Sequence, residues 1–93
     1  MPRITKQQTL DKFEDWLFGL IEDKYGHCGY RKLLAGIIIN EVRENNPTFF
    51  YTKNFKLYSR LVGCRVDNLQ KICLIGINNY KQLYTAIRSI DGY

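Results

Sequence analysis

Leu10, Phe13, Trp16, Leu17, Leu20 and Ile21 recur at steps of three and four residues, and Asp11, Lys12, Glu14, Asp15, Glu22 and Asp23 take the positions between them. A period near 3.6 puts the first set on one side of an α-helix and the second on the other, whereas a half-buried strand alternates by two. The same period returns in three further segments and, less cleanly, in a fourth. Each is bounded by glycine, asparagine or proline. That pattern limits the chain to a mainly α fold, a compact bundle of about five helices. With 93 residues, one core is the limit, because a chain this size hides roughly 60 to 65% of the surface its unfolded form exposes, so residues 1–93 are read as a single small helical domain.

The segment boundaries follow from local chemistry. Thr5 with Gln8 has the form of a capping box, Thr9 is a second candidate cap, and Gly26 suits a left-handed helix end. A second helix is predicted with Tyr30, Leu33, Leu34, Ile37, Ile38 and Val42 inward and Arg31, Lys32, Glu41, Arg43 and Glu44 solvated. Asn45-Asn46-Pro47 stops it, since the residue before proline is pushed out of the α region, and the first two helices should pair as an antiparallel hairpin. Phe49-Phe50-Tyr51 reads as an aromatic linker tucked into the core. Thr52 caps a third helix with Phe55, Tyr58, Leu61 and Val62 inward, and Gly63 ends it. Asp67 caps a fourth element from Asn68 to Ile77, which both a buried helix and a core strand satisfy. Asn78 or Asn79 caps a last helix with Tyr80, Leu83, Tyr84, Ile87 and Ile90 inward and Lys81, Gln82, Thr85 and Arg88 outward, closing at Gly92.

Charge is distributed unevenly along this framework. Residues 1–50 hold seven Lys/Arg against seven Asp/Glu, while residues 51–93 hold seven against two, so the whole net charge of +5 belongs to the second half. Such a field favours anionic partners. On the third helix Lys53, Lys56 and Arg60 fall within about 60° of one another, opposite the apolar face. No apolar run approaches the ~18 residues of a membrane span, and the N-terminus has no export-signal pattern, so no membrane partner and a cytoplasmic location are expected.

Residues 55–75 resemble the helix-turn-helix of DNA-binding regulators, with Ser59 as the small residue of the first helix, Gly63 as the turn glycine, and Tyr58, Val62, Cys64, Leu69 and Ile72 as the apolar framework. The resemblance implies that the helix beginning near Asn68 enters the major groove. Asn68, Gln70 and Lys71 would then face base edges, while Lys53, Lys56, Arg60 and Arg65 clamp the phosphate backbone. It also implies DNA ahead of RNA. Ile72-Cys73-Leu74-Ile75-Gly76-Ile77 departs from the pattern, offering nothing to a base edge.

Exposed tyrosines among cations can stack single-stranded bases, but Tyr58, Tyr80 and Tyr84 share the apolar phase, which leaves Tyr51 and Tyr93 as the free candidates. No catalytic residues, metal ligands or cofactor are predicted, and the chain is read as a non-enzyme. His27 is the only histidine and lies in a glycine turn. Cys28, Cys64 and Cys73 are odd in number, lack C-x-x-C spacing, and make a poor zinc set with His27. The carboxylates of residues 11–23 are spaced as a solvated helix face, and no phosphate-binding glycine loop occurs. The rival to nucleic-acid binding is a non-catalytic protein-interaction module, an adaptor or inhibitor subunit, possible as a homodimer with residues 72–77 in its seam.

Overall fold

In the computed structural model, residues 5–89 are described, except for the side chains of Tyr84 and residues 87–89. Expectations for those side chains, for residues 1–4 and for Ile90, Gly92 and Tyr93 lie outside them. Among the described residues the order is α1 (Lys6–Tyr25), α2 (Gly29–Arg43), a 3-10 turn (Pro47–Tyr51), α3 (Lys53–Val62), α4 (Val66–Asn78) and α5 (Tyr80–Ser89), with no strand. The mainly α bundle is therefore present, and residues 68–77 are helix.

The capping box opens α1. Thr5 Oγ1 accepts from the Gln8 amide at 3.1 Å, and Gln8 Oε1 accepts from the Thr5 amide at 3.0 Å. Thr9 is not a cap; it lies buried in the first turn, donating its hydroxyl to the Thr5 carbonyl at 3.1 Å. Gly26 ends the helix at φ +70°, ψ −153°, outside the left-handed helical region and in one that glycine alone enters freely. The hairpin with α2 is antiparallel. Lys6 at the start of α1 donates to the Arg43 carbonyl at the end of α2, and Lys32 near the start of α2 reaches Glu22 near the end of α1 at 2.6 Å. The Lys32 ammonium holds the exposed Glu22 carboxyl below its ordinary range, mainly by this hydrogen bond.

The phase of α2 differs from the sequence reading. Leu34, Ala35, Ile38, Ile39 and Val42 are buried, while Tyr30, Leu33 and Ile37 are exposed. Apolar residues cover more of this helix's circumference than α1, α3, α4 and the 3-10 turn enclose, so one flank is left open. Arg31 and Lys32, expected in solvent, are half-buried and engaged: Arg31 donates to the Leu61 carbonyl at the end of α3. Its guanidinium also lies 3.8 Å from the centre of the Tyr25 ring.

α4 is the central helix, packed against α5, α2, α3 and the 3-10 turn. Leu69, Ile72, Cys73 and Gly76 form its buried side. A Cβ on Gly76 would meet Leu83 at 3.2 Å and Val42 at 3.4 Å, so the glycine lets α2 and α5 approach together. The helix begins at Val66, with Arg65 rather than Asp67 at the cap. Asp67 stands in the first turn, where a carboxylate meets the positive end of the helix dipole. Ile72, Cys73 and Gly76 are consumed by packing within the chain, while Leu74, Ile75 and Ile77 are half-buried. Asn79 caps α5, its Oδ1 accepting from the Lys81 amide at 3.1 Å.

Candidate nucleic-acid interface

The basic stripe depends on how α3 is held. Thr52 Oγ1 accepts from the Phe55 amide at 3.2 Å and donates to the Phe49 carbonyl at 2.7 Å, joining the 3-10 turn to the helix start. Phe55 is fully buried, with ring centroids 5.1 Å from Phe50 and 5.9 Å from Phe49, both edge-to-face. Ser59 is buried beside it, its hydroxyl donated to the Phe55 carbonyl at 2.9 Å. Thus the linker expected in the core is split: Phe50 is buried, Phe49 half-buried, and Tyr51 is 66% exposed.

The far end of α3 is closed by two cations from other helices. Arg31 takes the Leu61 carbonyl and Lys24 Nζ donates to the Gly63 carbonyl at 2.8 Å, so charge of the favourable sign meets the negative end of the helix. Gly63 adopts φ +88°, and a Cβ there would lie 3.0 Å from Lys24 Cδ and 3.1 Å from Tyr25 Cε2. Gly63→Ala is expected to cost about 1–2 kcal/mol of stability in a urea melt, from left-handed strain together with displacement of Lys24.

With one side of α3 buried and both ends tied, the other side is set. Lys53, Lys56 and Arg60 are exposed on it, and none of their side chains has an ion-pair or hydrogen-bond partner among the described residues. Leu57 stands in the same stripe, about 40° from Lys53 around the helix, and is 52% exposed. The sequence reading passed over it because a single leucine outside the apolar phase carries no signal. Arg65 is exposed in the turn and Lys71 is exposed on α4.

The proposed base-reading set is divided. Asn68 and Lys71 lie about 60° apart around α4, but Gln70 is about 160° from Asn68, on the side facing the 3-10 turn. Gln70 Nε2 donates to the Phe50 carbonyl at 2.7 Å, so this amide serves to hold the turn under α3. Asn68 is half-buried and has a partner of its own.

The remaining chemistry-bearing residues are dispersed. His27 is exposed near Glu22, its Nδ1 3.6 Å from Oε1. Among the described residues no three of His, Cys, Asp and Glu come together as a metal set, and no helix is long and apolar enough to cross a membrane. Burial pushes the Cys64 thiol up to about 11 and holds Cys73 well above its ordinary value, with Cys64 adding to the effect on Cys73. At pH 8 a disulfide reagent is expected to titrate half-buried Cys28 first and to reach Cys64 and Cys73 only after denaturation. Since the folded Cys64 value exceeds the ordinary 9.0, its contribution to stability is intact below pH 9 and is lost as the pH rises through about 11.

No protein-family model, curated protein or solved structure matches this chain.

Proposed function

We propose that the chain is a nucleic-acid-binding regulator or accessory subunit acting in a cytoplasm without catalytic activity, which grips the phosphate backbone with the exposed face of α3. One observation carries this reading. Lys53, Lys56 and Arg60 share one rigid helix face, exposed and without a described anionic partner, in a chain of net charge +5. Cations held apart from carboxylates keep their full attraction for phosphate, and backbone contacts position a protein without reading sequence. Arg65 and Lys71 extend the cationic set to five.

A helix-turn-helix arrangement is the geometry we propose for DNA, with α3, the turn at Gly63 and α4 in that order, the last presenting exposed Lys71, with Asn68 beside it half-buried and already partnered within the chain. The engagement of Gln70 with Phe50 removes one reader, so sequence selectivity is expected to be modest. Binding of labelled random duplex DNA, single-stranded DNA and RNA at increasing salt tests the proposal. Five phosphate contacts give a slope of log K against log salt near about −4.5 on duplex DNA. Absence of binding at low salt overturns it.

A protein-interaction module is the second reading, and it is favoured by the open apolar flank of α2 described above.

A further inference from the structure

The open flank of α2 is ordered as a seam. Tyr30, Leu33 and Ile37 are exposed by 61, 65 and 36%, and Asn40 and Glu44 continue the same line. The spacing is 30, 33, 37, 40, 44, alternating steps of three and four over two heptads, which is the period by which one helix lies along another. Next to this line Gly36 sits inside the helix with nothing within 4 Å of where its Cβ would be. Interior glycine weakens a helix, and here no intramolecular contact requires it.

We propose that this seam pairs antiparallel with the same seam of a second copy of the chain. Three features single out a second copy. First, the line is self-complementary about an axis at residue 35: reversed there it sets Leu33 against Ile37 and Tyr30 against Asn40, so the two aliphatic side chains meet each other and the phenol meets an amide, as an isologous contact requires. Second, the charges fit only that direction. Glu44 is exposed on the line at the C-cap of α2, and its carboxylate has no described partner. The N-terminus of the same helix has no side-chain cap on its amides and no acidic residue in its first turn. Antiparallel pairing sets each Glu44 against the other copy's uncapped helix start, where a carboxylate is favoured, while parallel pairing sets Glu44 beside Glu44. Third, the area fits a weak contact. The three side chains leave on the order of 300 Å² open per chain, at the scale of patches that mark interaction sites, and the pair, on the order of 600 Å² before its polar rim, lies below the roughly 1,200 Å² of standard interfaces and among transient ones. The dimer is therefore weak and reversible.

This pairing is independent of nucleic-acid binding, since no residue of the α3 stripe takes part. Sedimentation of the full chain from about 1 to 500 μM is expected to show a monomer–dimer equilibrium, and Leu33→Glu or Ile37→Glu to abolish it with the helical circular dichroism unchanged. Direction is read by cross-linking. In a Cys28→Ser background, an equimolar mixture of Tyr30→Cys and Asn40→Cys chains is expected to oxidise to the mixed disulfide. Disulfides of like chains would mean parallel pairing and overturn the proposal. So would a monomer throughout the concentration range, or a dimer that survives Leu33→Glu and Ile37→Glu, since either would leave the seam vacant or assign it to another partner.

Discussion

Replacing Phe55 with alanine lowers the unfolding free energy by about 3–5 kcal/mol, enough to remove a large part of the 5–15 kcal/mol that holds a small domain together. The ring is fully buried between Phe49 and Phe50, and neither neighbour can follow the retreating side chain, because Thr52 ties the Phe49 carbonyl and Gln70 ties the Phe50 carbonyl. A cavity that cannot collapse costs both the lost transfer energy and the lost contacts. A position two residues along the same helix supplies the control. Leu57→Ala removes a side chain that is 52% exposed and is expected to stay within about 0.5 kcal/mol of the parent. Urea melts of the two variants measure the difference. A large effect at Leu57 with none at Phe55 would mean that α3 is rotated about its axis, which would also bury the basic stripe.

The burial of Phe55 was legible in the sequence, because α3 has a narrow apolar face and only one phase satisfies it. α2 was not legible in the same way. In Gly29–Arg43 the apolar residues Tyr30, Leu33, Leu34, Ala35, Ile37, Ile38, Ile39 and Val42 surround most of the helix, so several phases bury a comparable amount. Tertiary contacts choose among them: Lys32 meets Glu22 on one flank and Arg31 meets Leu61 on the other, and the side opposite that contact zone is left open. The bonds that fix α3 at its far end have no local trace either, since Lys24 and Arg31 act on carbonyls 39 and 30 residues away. Gln70 shows the converse error. Reading 68, 70 and 71 as one polar face treats neighbours in sequence as neighbours on a helix, whereas a step of two residues crosses to the other side.

Neutralising Lys53, Lys56 and Arg60 together to glutamine tests the stripe more sharply than its reversal, because glutamine keeps a flexible polar side chain of similar helix propensity and removes the charge without introducing the opposite one. With five contacts, the parent loses about 500-fold in affinity for duplex DNA between 50 and 200 mM salt, and with two it loses about 12-fold, the slope falling from about −4.5 to about −1.8. The variant is expected to fold as the parent does, since all three positions are exposed and unpartnered among the described residues. Lys71→Gln is the useful companion. If α4 only positions the complex, its slope changes by about 0.9 and every sequence weakens alike. If its N-terminal turn reads bases, discrimination between sequences falls as well. A slope unchanged by the triple substitution would place the phosphate contacts away from α3, and the exposed stripe would then be only the solvated side of an amphipathic helix.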